Sequence, residues 1–300
     1  MRLVIALGGN ALIRRGERPD ADTQQERTRA LARALAPLAS KHEVVLCHGN
    51  GPQIGVLALE SAADLQLTRP FPLDTLVAET QGLIGYWLAQ GLRSEGIARP
   101  PIAIVTETLV ARDDPAFGNP TKFIGSAYSE PEADEAARDR GWTFGRDADL
   151  IRRTVPSPRA ERTVEIDEVV LLLKAGRTVI CGGGGGVPVV AEGAELRGIE
   201  AIVDKDDTAA NLAVDITADL LVILTDVPAL LHNFGSTDPQ PITVISADDA
   251  AALDLPPGSM GPKIRSCVEF VRATGRPAHI GSLDDAAAVV EGTSGTTISA

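Results

Sequence analysis

Lysine is scarce in this chain, and its placement says what chemistry to look for. Of 28 Lys and Arg residues only five are Lys: Lys41, Lys122, Lys174, Lys205 and Lys263. Three of them lie in distinctive short motifs, N-P-T-K-F-I-G around Lys122 and G-S-M-G-P-K-I around Lys263, both with Gly and Pro, and I-V-D-K-D around Lys205. Lysine is a compact, flexible point charge and arginine a planar fork, so a site built for one does not accept the other. Upstream of Lys205 a β-branched run, Thr178-Val179-Ile180, stops at five consecutive glycines, Gly182 to Gly186. Glycine backbone takes φ > 0 and brings its N–H groups close to a ligand, and concave arrays of amides hold phosphate. An amide cradle followed by a lysine between Asp204 and Asp206 suggests phosphoryl transfer. That reaction needs two anionic reactants held in line and their charge neutralised. Each element also has an ordinary reading: a tight turn with a surface lysine, and helix N-capping for Asp206.

Two further loops offer free backbone. Leu3 to Leu7 is a strand-length apolar run that ends in Gly8-Gly9-Asn10, and Glu43 to Cys47 runs into His48-Gly49-Asn50-Gly51-Pro52. The second has Pro at a helix start, where amides and the dipole attract anions. The amides of Gly8, Gly9, Gly49 and Gly51 are thus candidates to cradle one anion, with Lys205 and Lys263 on the transferred group and Asp206 holding the ammonium groups. No Walker lysine motif, convincing dinucleotide fingerprint or hydrolase serine elbow is present.

The elements that must position these residues alternate. Continuous apolar runs at Leu3–Leu7 and Leu220–Leu224 predict buried strands, Glu43–Cys47 reads as another, and Ile102–Val105, Arg177–Cys181, Ala278–Ile280 and Thr296–Ile298 read as further strands. Helices are predicted over Thr23–Ser40, Gln53–Leu65, Thr75–Glu95, Ile166–Lys174, Asp206–Ile216, Ser246–Leu253, Met260–Ala273 and Leu283–Val290. Val189 to Ala201 reads as a hairpin around Glu192-Gly193. This order predicts an α/β fold with a mainly parallel central sheet covered on both faces and ligand loops at the carboxyl ends of its strands. Between about 112 and 160 charge density rises and no clean period persists beyond Glu130–Arg140. That length reads as a functional insertion or lid.

Composition narrows the classes. A net charge of −13 argues against nucleic acid, which selects basic surfaces, and obliges an anion-binding protein to place its cations locally. No apolar run approaches the ~20 residues of a membrane span, and Met1-Arg2 leads straight into a short apolar run without a signal-peptide pattern. Three unspaced cysteines, Cys47, Cys181 and Cys267, indicate neither a metal site nor a disulfide framework and fit a reducing cytoplasm.

L-G-G-N-A-L, H-G-N-G-P-Q-I-G, P-L-D-x-x-x-A-x-T-Q-G-L-I-G-Y-W-L, N-P-T-K-F-I-G, V-P-S-P, C-G-G-G-G-G-V-P-V, A-I-V-D-K-D, V-I-L-T-D-V and G-S-M-G-P-K-I occur in this order across nearly the whole chain. Together they resemble the carbamate kinases of the amino-acid kinase superfamily. The resemblance implies a three-layer αβα sandwich with a small protruding subdomain at about 112–160, and a homodimer. It implies reversible phosphoryl transfer between Mg-ATP and carbamate, giving ADP and carbamoyl phosphate. Residues 1–183 would form the carbamate lobe and 184–300 the nucleotide lobe. Gly8, Gly9, Asn10, Gly49, Asn50 and Gly51 would surround carbamoyl phosphate. Lys205 and Lys263 would stabilise the transferred phosphoryl, Asp206 would organise them, and Lys122 would reach in from the insertion. Gly183, Gly184, Gly185, Asp226 and Met260, with the two lysines, would lie at the nucleotide, and magnesium would sit on its phosphates with no metal site of the protein's own. Two places depart from the family's pattern. Asp149-Leu150-Ile151-Arg152-Arg153 stands where a Gly-Arg-Gly-aromatic-Arg-Arg segment is usual, which implies altered closure of the insertion. Leu230 and Leu231 stand where an aromatic often follows Thr225-Asp226-Val227. A related acyl-phosphate-forming kinase and a non-catalytic nucleotide-binding homologue remain as alternatives.

Overall fold

The computed structural model describes residues 1–8, 12–13, 17–232, 239–253, 255 and 260–300. Among them the main sheet has eight strands, in the order Val244–Ser246, Thr296–Ser299, Ala278–Ser282, Leu220–Thr225, Arg2–Leu7, Glu43–His48, Thr178–Ile180 and Pro101–Ala103. Every neighbouring pair is parallel except Ala278–Ser282 with Thr296–Ser299. The apolar runs alternate faces as the strand period requires. Val4, Ala6, Val45 and Cys47 meet the helices Lys205–Asp215 and Met260–Thr274 on one side. Leu3, Ile5, Leu7 and Leu46 meet Ala21–Lys41 and Leu73–Ser94 on the other. Three layers result, and each fully buried Leu or Ile contributes about 1.5–3 kcal/mol.

Observed helices begin or end within a few residues of their expected limits, with one instructive difference. The helix expected to start at Asp206 starts at Lys205, and its N-cap is Asp204, whose carboxylate accepts from the Asp206 amide. Asp206 is therefore released from capping and stands in the first turn. The hairpin expected at Val189–Ala201 is present as Val187–Glu192 paired antiparallel with Glu195–Gly198.

The insertion is more regular than its sequence suggests. Lys122–Tyr128, Leu150–Val155 and Thr143–Asp147 form an antiparallel three-stranded sheet beside the helix Glu130–Arg140. That helix is closed by a Ser129/Glu132 capping box and by Gly141 at φ 67°. These short strands escape a periodicity reading because their two faces are nearly equally polar and only Ile124 and the end of Leu150–Val155 are deeply buried. Ile124 and Val155 join Ile54, Leu76, Val77 and Val189 in a satellite core that seats the subdomain on the main body.

Candidate active site

The three motif lysines converge on the N-terminus of the helix Lys205–Asp215. Lys205 Nζ donates to Asp206 Oδ1 at 2.6 Å, and Lys263 Nζ donates to Asp206 Oδ2 at 2.9 Å. One carboxylate thus separates two ammonium groups that lie 58 residues apart in the chain. Lys122, carried by the protruding sheet, donates to Asp204 Oδ2 at 2.9 Å. Lys205 and Asp206 are 8% and 1% exposed, so this is a charge cluster inside the protein, where pairing must offset desolvation.

The electrostatics follow from that burial. Burial alone would raise the pKa of Asp206, but Lys205 and Lys263 outweigh it and hold the carboxylate below its ordinary range. Asp204 is likewise pushed up by burial and pulled further down by Lys122 and Lys205. For Lys205 burial prevails over the pull of Asp206, and its pKa is lowered. For Lys263 the order reverses: burial lowers it, yet Asp206 and Asp204 win and raise it. Asp226 also acts on Lys263 through its charge, which places it on the same side of the molecule. Met260 opens the helix that carries Lys263.

The glycine loops behave differently from expectation. The amides of Gly8 and Gly49 are taken by the carbonyls of Leu224 (2.9 Å) and Leu7 (3.1 Å). They extend the sheet ladder and are not turned toward an anion. Gly51 opens the helix Gly51–Ala63, and an added Cβ there meets no described atom within 4 Å. Asn50 donates through Nδ2 to Thr80 Oγ1 at 3.0 Å. Gly9 and Asn10 lie outside the described residues.

The five-glycine run is packed against the protein on several sides. Its amides at Gly182, Gly185 and Gly186 bond to Thr106 Oγ1, the Gly182 carbonyl and the Gly183 carbonyl, and the whole run is buried. A Cβ on Gly183 would stand 2.3 Å from His48 Nε2, one on Gly184 2.1 Å from Asn50 Nδ2, and one on Gly185 2.3 Å from the Val203 carbonyl. Thr108 and Thr208 both donate to the Gly185 carbonyl, at 2.7 and 2.8 Å. The run is therefore a wedge that joins the His48–Asn50 loop to the lysine helix. At Gly183, Gly184 and Gly185 the missing side chains make room for protein neighbours.

Sequence reasoning missed the polar network behind that wedge. Gln81 donates to the Thr106 carbonyl (3.0 Å) and accepts from its amide (3.1 Å). His48 is wholly enclosed; burial pushes its pKa down to about 4, opposed by the Gly49 carbonyl its Nδ1 faces at 3.0 Å. The signal was present as Thr80-Gln81, two polar residues on the buried face of a largely apolar helix. A second node also lacked a forecast. Asp207, beside Asp206 but aimed elsewhere, accepts from Ser266 Oγ at 2.8 Å and from Arg159 and Arg265. It ties the Lys205 helix to the Lys263 helix.

The departure at Asp149 falls where Asp147 and Leu150 close a hairpin, with Ala148 at φ 54°. Asp149 is exposed there. Arg152 and Arg153 remain engaged, the latter stacked 3.8 Å from the Trp142 ring centroid and 3.6 Å from Glu200. Leu230 and Leu231 stand on the strand Leu230–His232.

Comparison with known proteins places this arrangement. The model of the amino acid kinase family matches residues 1–282. A carbamate kinase of Rhizobium meliloti is 44% identical over 303 residues, covering 100% of this chain and 93% of its own. One of Escherichia coli is 44% identical over 297 residues, with 99% of each covered. The solved carbamate kinase from Giardia lamblia bound to AMP-PNP superposes with a TM-score of 0.90 at 36% identity, covering 99% and 98% of the two chains.

Proposed function

We propose that this chain, which belongs to the amino acid kinase family, transfers a phosphoryl group reversibly between ATP and carbamate, giving ADP and carbamoyl phosphate. Full-length identity of 44% to curated carbamate kinases supports the activity. The observation that carries the chemistry is Asp206 holding Lys205 and Lys263 at its two oxygens. Two ammonium groups so oriented neutralise oxygens of a phosphoryl group passing between two anions, and they require no reorganisation as charge moves. Lys122 reaches the same place from the protruding sheet. Its partner Asp204 keeps it at the site until an anionic substrate competes for it.

Carbamate would lie against Gly8, Gly9, Asn10, Asn50 and Gly51, on loops of residues 1–183. Gly8 and Gly49 contribute shape, since their amides are spent. The nucleotide would lie along Asp226, Met260 and Lys263 in residues 184–300. Magnesium arrives with the nucleotide, as Mg-ATP. Among the described residues no group of three or more His, Cys, Asp or Glu side chains is placed for a metal, and Asp204 and Asp206 are occupied by lysines. This donor set fits an ion held through phosphate oxygens, the usual habit of magnesium. When bound there it supplies further charge neutralisation on the phosphates.

Two copies would associate through the Leu73–Ser94 helix, where Leu83 and Tyr86 are 37% and 56% exposed; sedimentation of wild type against Tyr86→Glu checks this. No helix among the described residues is long and apolar enough to cross a membrane. Cys47, Cys181 and Cys267 are buried and unpaired, in keeping with a cytoplasmic enzyme. The deciding assay is ATP formation from ADP and carbamoyl phosphate with magnesium, run beside acetyl phosphate and acetylglutamyl phosphate. Turnover of carbamoyl phosphate alone is expected. Preference for another acyl phosphate, or nucleotide binding without turnover, would reject the reading.

A further inference from the structure

Two glycines that close motifs have no task in the chemistry above: Gly55, at the end of H-G-N-G-P-Q-I-G, and Gly125, at the end of N-P-T-K-F-I-G. They meet backbone to backbone. A Cβ on Gly55 would stand 2.0 Å from Gly125 Cα and 2.6 Å from its nitrogen, and one on Gly125 would stand 3.1 Å from Gly55 Cα. Gly55 lies inside the helix Gly51–Ala63. Alanine is the better residue for a helix interior, so the helix itself gives no reason for glycine there. Gly125, at φ 68°, lies in an irregularity of the Lys122 strand, where pairing with Leu150–Val155 breaks after Ile124 and resumes at Ala127. Arg152 fastens that irregularity. Its Nη2 donates to the Gly125 carbonyl at 2.9 Å and its Nη1 to Asp147 at 2.7 Å, while its guanidinium lies 5.7 Å from the Phe123 ring centroid. Ile54 and Ile124, each next to one of the two glycines, share the satellite core.

We propose that the Gly55–Gly125 contact is the stop that sets how deeply the protruding sheet seats, and through it the reach of Lys122 into the active site. The inference rests on the role proposed for Lys122. Any side chain at position 55 displaces the strand outward, because the atom it strikes is backbone that cannot rotate away. Lys122, on the same strand, then loses its place beside Asp204 and the transferred group. Gly55, Gly125 and Arg152 are positioning residues and touch no reactant themselves.

The test is a double-mutant cycle read in steady-state kinetics with carbamoyl phosphate and ADP, accompanied by calorimetric ADP binding. Lys122→Ala is expected to lower kcat/KM about a hundredfold. Gly55→Ala should lower it at least about tenfold, since small misplacements of a catalytic group are costly. ADP affinity should stay within about twofold of wild type, and the double variant should be no slower than Lys122→Ala within about twofold. A wild-type rate for Lys122→Ala would remove the Lys122 role and this inference with it. A slow Lys122→Ala beside an unimpaired Gly55→Ala, or losses that multiply in the double variant, would overturn the positioning claim alone. Should Gly55→Ala not fold, Arg152→Gln carries the test. It is expected to raise the KM for carbamoyl phosphate about tenfold, with Arg152→Lys recovering at most a small part of the loss, since one ammonium cannot span Asp147 and the Gly125 carbonyl as the fork does. Arg152→Gln indistinguishable from wild type would also overturn the claim.

Discussion

The cations of the site are mounted in two ways. Lys205 and Lys263 stand on helices packed against the main sheet, above a core whose central residues, such as Val4, Val45 and Leu221, are wholly buried. Lys122 stands on a small, largely polar sheet that touches the main body through a satellite core, a glycine–glycine contact and a few charged pairs. The contrast separates two duties. Fixed charge comes from the thick part of the molecule, where a displaced lysine would have to disturb close-packed layers. The third lysine comes from the thin part, which is seated on the body by the smaller satellite core.

The contrast can be broken first at its rigid side. Lys205→Ala or Lys263→Ala should lower kcat for ATP formation about a thousandfold with ADP still bound; a rate within about tenfold of wild type would show that the buried pair is not at the reacting group. Next in size is the pH response of the core beside the glycine wedge. The folded-state pKa of His48 is depressed from 6.5 to about 4, so between those values the unfolded chain binds the extra proton. Stability should fall as pH drops through that window, by up to about 3 kcal/mol. Urea titrations should show a flatter profile for His48→Gln, and an unchanged slope would assign the loss to other groups.

A smaller effect is expected where the two mountings meet. Asp204→Ala removes both the helix cap and the partner of Lys122, and should cost about 1–2 kcal/mol in urea unfolding. A loss no larger than that of Lys122→Ala would mean the cap contributes nothing. Smallest of all, Asp149→Gly at the exposed hairpin tip should change stability by less than about 0.5 kcal/mol and leave kcat unaltered. A marked kinetic change there would show that the tip takes part in closure.

The same division governs what could be read from the chain beforehand. Strands such as Leu3–Leu7 and Leu220–Leu224 announce themselves because both faces are buried and every residue must be apolar. Lys122, Lys205 and Lys263 stood out because lysine is otherwise rare here. The protruding strands did not, since segments such as Thr143–Asp147 carry no continuous apolar face. The glycine loops are ambiguous for a different reason. Absence of a side chain marks a close approach, but the residue type does not say whether the approaching group is a ligand or the protein. At Gly183, Gly184 and Gly185 the protein makes such an approach. Asp204 and Asp206 illustrate a further limit, for two carboxylates flanking one lysine are interchangeable on paper, and helix phase alone decides which one caps and which one faces inward.

The glycine wedge has a practical corollary for redesign. At Gly183, Gly184, Gly185 and Gly186 even a methyl group would fall within 2.1–2.3 Å of His48, Asn50, Val203 or Thr108. A randomised library across these positions should return wild type almost exclusively, whatever substrate is used for selection. Diversity meant to alter specificity is better spent on the loops the wedge holds together, which can vary while their spacing is kept.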